Sequence, residues 1–216
     1  SDYERALRCW DGSFRHISLP LNWEDAQPQE FPIEPKSDAI WITNPHNPTG
    51  QLWSKSSLKK LLGNYKLVIC DEAFLPLVPN GEKESIIPLA SEHENLIVIR
   101  SLTKLFSIPG LRLGYAISGP KRLLDWQHMR DPWPLNSLAI DAGNMLMLDR
   151  NFLNQWTNKI QSWVKEEGPW LKKRINTLKG IKSYPSSANF QLIKGDYSLT
   201  ELRNQMANNK ILLREC

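Results

Sequence analysis

Three short polar clusters, each placed directly after an apolar run, hold the side chains of this 216-residue chain that could do chemistry. The first is Asn44-Pro45-His46-Asn47-Pro48-Thr49-Gly50, after Ala39-Ile40-Trp41-Ile42. Two Asn-Pro pairs and a glycine make a stiff turn there, and Asn47 offers an amide that can donate or accept. The second is Asp71-Glu72-Ala73-Phe74, after Leu67-Val68-Ile69-Cys70. The third runs from Ser101-Leu102-Thr103-Lys104 to Pro109-Gly110-Leu111-Arg112-Leu113-Gly114, after Leu96-Ile97-Val98-Ile99. It supplies two hydroxyls, an amine and a guanidinium.

Each cluster alone admits a plain reading as a turn, a helix cap or a solvated strand end. Four apolar residues before Asp71-Glu72 also describe the magnesium-binding strand of phosphate-hydrolysing NTPases, but no G-x-x-x-x-G-K-[ST] loop exists in the chain to cradle a nucleotide. Ser101-x-x-Lys104 has the spacing of the serine and lysine in penicillin-binding enzymes, yet the accompanying Ser-Asp-Asn and Lys-Thr-Gly signals are absent. Asn47-Pro48-Thr49 is no glycosylation acceptor, because proline fills its middle position. One chemistry uses all three clusters together. An ε-amine held among apolar residues can form a Schiff base with an aldehyde. Pyridoxal phosphate needs that amine, an acid beside its ring nitrogen, a donor to its phenolic oxygen, and hydroxyl or cationic donors for its phosphate.

The elements that must position these clusters follow from the apolar rhythm. The runs at residues 39–42, 67–70 and 96–99 are short, continuously apolar and rich in β-branched residues, as in strands buried on both faces, and Leu113-Gly114-Tyr115-Ala116-Ile117 reads as a fourth. Helix-compatible stretches at Ser54–Leu62 and Lys121–Met129 separate or follow them, which gives α/β architecture with a mostly parallel sheet flanked by helices. Open sheets of this kind place ligands at the carboxyl ends of their strands, where all three clusters fall. From Asn136 to about Val164, apolar residues at three- and four-residue steps predict long helices. After Gly168-Pro169 the expected order is a helix near Leu171–Leu178, strands near Ile181–Tyr184 and Asn189–Ile193, a helix near Leu199–Asn208, and a strand-like run at Ile211-Leu212-Leu213. The expected organisation is a partial large domain at residues 1–140, a connecting long helix at 141–166, and the start of a smaller α+β domain at 167–216. Both ends read as cut from a longer protein, the first eight residues being helix interior without a start signal.

In order and spacing, Asn47-Pro48-x-Gly50, Asp71-Glu72-Ala73-Phe74 and Ser101-x-x-Lys104-x-x-x-x-Pro109-Gly110-x-Arg112-x-Gly114 resemble the class I/II aminotransferase family of fold-type I pyridoxal-phosphate enzymes. Within it the chain is most similar to the branch that contains the threonine-phosphate decarboxylases and the histidinol-phosphate aminotransferases. The resemblance implies the major domain of a pyridoxal-phosphate-dependent transferase. It makes Lys104 the Schiff-base lysine and proton-transfer base, and pairs Asp71 with the pyridinium nitrogen. Asn47 becomes the donor to the phenolic oxygen, and Ser101, Thr103 and Arg112 the holders of the cofactor phosphate. Asn47 and Arg214 are implied at the substrate, Arg214 at its anionic group. Phe74 departs from the commoner tyrosine, so a second hydrogen bond to the phenolic oxygen is missing. The implied substrate is a small phosphorylated amino acid or amine. The first expectation is decarboxylation of threonine phosphate to aminopropanol phosphate for cobalamin synthesis, the second transamination of histidinol phosphate. A homodimer is implied as well, with the segment around Trp133 near cofactor and partner. The alternative from another class is a noncatalytic remnant.

Composition narrows the remaining possibilities. Twenty-seven Lys+Arg against 23 Asp+Glu give a formal charge of +4 without a basic block, too small and dispersed an excess to argue for nucleic acid. No apolar run approaches the roughly 18 residues needed to cross a bilayer. Cys9, Cys70 and Cys216 are odd in number and lack C-x-x-C spacing, which fits a reducing compartment such as the cytoplasm. His16, His46, His93 and His128 share no metal-ligand spacing, so no metal is expected.

Overall fold

Three parallel strands form the centre of the molecule, whose computed structural model describes residues 2–34 and 37–216. They are β1 (Ala39–Thr43), β2 (Leu67–Asp71) and β3 (Leu96–Ser101), adjacent in chain order with Thr43 beside Asp71 and Asp71 beside Ile99. A fourth strand, β4 (Gly114–Ser118), adds antiparallel to β3, with Ser101 opposite Gly114. The mostly parallel sheet is therefore present, with its one reversed strand at the edge. A Cβ on Gly114 would lie 2.8 Å from the Arg100 carbonyl oxygen, so the close approach at the start of β4 requires glycine.

Helix α1 (Asp2–Cys9) precedes the sheet and α2 (Lys55–Leu61) connects β1 to β2. The α2 terminus is set by Ser54, whose Oγ accepts from the Ser57 amide at 3.2 Å. Its buried face, Leu58 and Leu61, joins Ile40, Ile42, Val68, Cys70, Leu96 and Val98 in the main core. These residues alternate along the strands, so one sheet face is fully covered. The other face of β1 is more open: Trp41 keeps 37% exposure, with the Tyr3 ring from α1 stacked on it at 4.3 Å between centroids. The expectation of burial on both faces thus fails at β1, because a continuously apolar run does not reveal which neighbours exist to cover it.

After β3 come the short helix α3 (Leu102–Leu105), a 3-10 turn at Pro109–Leu111, and α4 (Pro120–Met129) after β4. Two long helices follow, α5 (Ser137–Leu148) and α6 (Arg150–Ile175), capped by Asn136 Oδ1 and Asp149 Oδ1, each accepting a backbone amide at 2.9 Å. They build a second core of Leu102, Leu105, Phe106, Leu113 and Ala139, against which Trp156 and Ile160 pack. Hydrogen bonds fasten α6 to the rest of the chain, among them Trp156 Nε1 donating to the Leu105 carbonyl at 2.7 Å and Gln161 Nε2 to the Pro76 carbonyl at 3.0 Å.

Pro169 lies inside α6, where a boundary was expected. A proline disfavours helical geometry in its predecessor partly through that residue's Cβ, which Gly168 lacks, and the helix continues past it at the loss of one ladder bond. Beyond it, β5 (Ile181–Ser183) and β6 (Ile193–Gly195) pair antiparallel, and α7 (Thr200–Asn208) follows. The strand expected at Asn189–Ile193 begins only at Ile193, and Ile211-Leu212-Leu213 forms no strand. An apolar run becomes a strand only where a partner edge meets it.

Candidate active site

The parallel register carries the three polar clusters to one edge of the sheet. Thr43, Asp71 and Ile99 lie side by side, so the loop after β1, the end of β2 and the turn after β3 open on the same side. Asn47, Asp71, Ser101, Thr103 and Lys104 are thereby brought to that edge, and Arg112 reaches it just before β4.

The first loop is held from behind. Asn44, fully buried, extends the ladder by donating its amide to the Asp71 carbonyl at 2.9 Å. Its side chain brackets Trp53, accepting from the Trp53 amide at 2.8 Å and donating to the Trp53 carbonyl at 3.2 Å. His46 adds two backbone bonds, from its amide to the Gln51 carbonyl and to its own carbonyl from Gly50, each 2.7 Å. Asn47 is left exposed at the tip of a fixed loop. The opposite side of the loop is closed by a later segment: the Ser187 amide donates to the Gly50 carbonyl at 2.9 Å. Gly50 adopts φ +75°, and a Cβ there would lie 2.9 Å from the Ser186 Cα, so both the turn and the docking need glycine.

Asp71 is half-buried, and both its oxygens are engaged. Oδ1 accepts from the Ala73 amide at 2.9 Å, and Oδ2 accepts a short hydrogen bond from the Tyr3 hydroxyl. Tyr3, itself held on Trp41, is a residue that sequence reasoning missed. Phe74 packs edge to face on Phe190 at 5.1 Å, and the Lys104 Nζ lies 5.3 Å from the Phe74 ring centroid, within cation–π range. Apart from that ring Lys104 is exposed, which corrects the expectation of an amine enclosed by apolar residues. Leu102 and Leu105, its apolar neighbours in sequence, turn instead into the second core.

The hydroxyls of Ser101 and Thr103 lie 2.7 Å apart. Arg112 takes the left-handed conformation at φ 51°, donates Nη1 to the Pro109 carbonyl at 3.1 Å, and leaves the rest of its guanidinium exposed. Arg214 is exposed in the irregular C-terminal segment, and among the described residues no contact joins it to the cluster. Asn189 sits in a bend beside Phe190.

Two further groups were not singled out by sequence reasoning. Burial pushes the His46 imidazole down to about 4, and its Nδ1 lies 2.8 Å from the Thr49 Oγ1. Glu72 is fully buried against Arg100, Nη2 to Oε2 2.7 Å, and burial pushes its carboxyl up against the opposing pull of Arg100. Among the described residues no group of three or more His, Cys, Asp or Glu could hold a metal, and no helix is long and apolar enough to cross a membrane.

Comparison with known proteins gives a consistent result. The family described as aminotransferase class I and II matches residues 21–216. The threonine-phosphate decarboxylase of Salmonella typhimurium is 30% identical over 223 residues, covering 100% of this chain and 60% of that protein. The structure of L-threonine-O-3-phosphate decarboxylase from Porphyromonas gingivalis has a TM-score of 0.81 at 23% identity, covering 100% of this chain and 64% of that one. The Sinorhizobium meliloti histidinol-phosphate aminotransferase, solved in complex with pyridoxal-5'-phosphate, gives 0.69 at 22% identity over 82% of this chain and 49% of that one. The chain spans about 60% of the length of the curated decarboxylase it matches.

Proposed function

The chain belongs to the class I and II aminotransferase family, and from that premise we propose that it works as a pyridoxal-phosphate-dependent enzyme that decarboxylates L-threonine O-3-phosphate. The observation that carries the cofactor part of this reading is the parallel register, which sets an acid, an amide, an amine and a pair of hydroxyls along one sheet edge, and the similarity to the Salmonella typhimurium threonine-phosphate decarboxylase supports the choice of reaction. The donor set fits the cofactor. Asp71 offers a carboxylate already oriented through Oδ1, the 2.7 Å hydroxyl pair of Ser101 and Thr103 with the exposed Arg112 suits a phosphate, and Lys104 projects freely enough to reach an aldehyde.

In this reading Lys104 would hold the cofactor through its amine, Asp71 would keep the ring nitrogen protonated, and Asn47 would donate to the phenolic oxygen. When bound, the pyridinium ring supplies an electron sink for charge left at the substrate Cα. The protein's own tasks are orientation and proton transfer. The substrate carboxylate leaves as carbon dioxide, its bonding pair remains at Cα, and Lys104 Nζ returns a proton there. Arg214 is proposed at the anionic group of the substrate. Aminopropanol phosphate is the product, and a place in cobalamin synthesis, in the cytoplasm, follows from the same reading.

We further propose that two copies associate. The exposed apolar residues Met129, Trp133, Leu138, Met145 and Leu148 cluster along 129–148, with Trp133 87% exposed, which suits a protein interface. The large cofactor-binding unit is proposed at residues 1–140, the connecting segment at 141–166 and the smaller unit at 167–216, although α6 itself runs on to Ile175.

The test is absorbance with pyridoxal phosphate, beside Lys104→Ala, followed by threonine phosphate and, separately, histidinol phosphate with a 2-oxoacid. A lysine-dependent band and carbon dioxide from threonine phosphate are expected. Conversion of the cofactor to its amine form by histidinol phosphate would replace decarboxylation with transamination, and a band that persists in Lys104→Ala would overturn the assignment of the lysine.

A further inference from the structure

Directly behind the candidate site lies a buried ionic network that none of its proposed tasks uses. Arg100 is 4% exposed and Glu72 0%, one residue before Ser101 and one residue after Asp71. Arg100 Nε donates to Glu72 Oε2 at 2.9 Å, its Nη1 and Nη2 form a bidentate pair with Glu82 at 2.7 and 2.9 Å, and Nη2 also donates to Ser85 Oγ at 3.0 Å. Glu72 Oε1 accepts from the Ile86 amide at 2.9 Å and Oε2 from the Ser85 hydroxyl at 2.8 Å. Every polar group of the Glu72–Arg100 pair thus has a partner, the condition under which a buried ion pair fixes one arrangement.

The placement gives this network a second consequence. Side chains alternate along a strand, so Glu72 and Arg100 point to the covered face, with Cys70 and Val98, while Asp71 and Ser101 point to the other. The Glu72 amide donates to the Ile99 carbonyl at 2.9 Å, which continues the β2–β3 ladder to the last residue before the chains diverge. The strand ends are joined where they would otherwise splay. The segment that carries Glu82, Ser85 and Ile86 ties both ends to a third piece of chain.

We infer that Glu72 and Arg100 are positioning residues, which set the separation between the carboxylate of Asp71 and the hydroxyls of Ser101 and Thr103. That separation must match the span from ring nitrogen to phosphate in one cofactor, so the inference rests on the pyridoxal-phosphate reading. A purely stabilising pair would be replaceable by apolar residues of similar volume without loss of cofactor affinity in the protein that stays folded. A positioning pair would not be, because small displacements of binding groups are costly.

The experiment compares the double variant Glu72→Leu/Arg100→Met with the parent chain, reading the urea midpoint and the affinity for pyridoxal phosphate from its absorbance band. The parent's band, absent in Lys104→Ala, checks the underlying reading independently. The expected result is a lowered urea midpoint, since the buried Ile86 amide and Ser85 hydroxyl lose their partners, with cofactor affinity of the folded protein weakened about tenfold or more. Parental affinity in the folded double variant overturns the inference, whatever its midpoint. If the double variant does not fold, Glu82→Gln decides, since Glu82 is half exposed and its loss frees one side of Arg100. Affinity weakened by about threefold or more at a parental midpoint supports positioning, and parental affinity overturns it.

Discussion

Lowering the pH from about 7.5 to about 5 is expected to cost the fold about 2 kcal/mol through one imidazole, that of His46. Its ring sits in the loop that presents Asn47, and the Thr49 Oγ1 beside its Nδ1 also accepts from the Gln51 amide at 3.3 Å. The Thr49 hydroxyl hydrogen is therefore best used toward an unprotonated Nδ1, the neutral form of the ring. Burial pushes His46 down to about 4 from its ordinary 6.5. The folded protein then refuses a proton that the unfolded chain accepts, so the stability is complete above about pH 6.5 and is lost as the pH falls toward about 4. The full gap corresponds to roughly 3 kcal/mol, of which about 2 is lost by pH 5. The control is His46→Asn, whose amide can reach the position of Nδ1 and keep the contact with Thr49 without titrating. Glu72, pushed up by burial, works in the opposite sense, its contribution falling as pH rises, but it is common to both proteins and cancels. Urea denaturation at several pH values should show the parent losing about 2 kcal/mol more than His46→Asn on acidification. Parallel stability curves would refute the argument.

Two other outcomes follow from the packing. Leu58, wholly buried between α2 and the sheet, should cost about 2–5 kcal/mol when replaced by alanine, read from urea denaturation at constant m-value. Tyr3→Phe removes the hydroxyl donor to Asp71 Oδ2 but keeps the stack on Trp41, so cofactor affinity should fall by about three- to tenfold while the fold persists; an unchanged affinity would deny Tyr3 a part in orienting Asp71.

Much of the fold was legible because it rests on local patterns. The apolar runs at 39–42, 67–70 and 96–99 became β1, β2 and β3, and Ser54 stands at the helix start where its hydroxyl can cap. What failed depended on neighbours distant in sequence. The reversal of β4 comes from the connection at 102–113, which folds back at the end of β3, its Leu102 amide donating to the Leu113 carbonyl at 3.1 Å, and local patterns do not fix that orientation. Pro169 reads as a stop, yet Gly168 relieves the Cβ part of its clash and α6 runs through it. Ile211-Leu212-Leu213 had the composition of a strand without an edge to join.

The site divides in the same way. Asn47, Asp71, Ser101, Thr103, Lys104 and Arg112 stood out because spacing within three clusters carries them, and the sheet register then brings the clusters together. Tyr3 escaped notice because its tie to Asp71 spans 68 residues, and nothing near Tyr3 in the chain signals it. Asn44 looked like half of a turn, yet its amide locks Trp53. For Glu72 and Arg100 a signal did exist. In β2, Val68 and Cys70 point to the core, and the next residue of that parity is Glu72; in β3, Leu96 and Val98 do the same, and the next is Arg100. A charge at a core-parity position is costly alone. Two opposite charges at the same parity, on strands paired Asp71 to Ile99, are therefore partners before any side chain is placed. The same alternation sends Asp71 and Ser101 to the opposite face, so a strand end carrying two adjacent polar residues serves two purposes: one side chain meets the ligand, and its neighbour holds the strand from which that ligand is met.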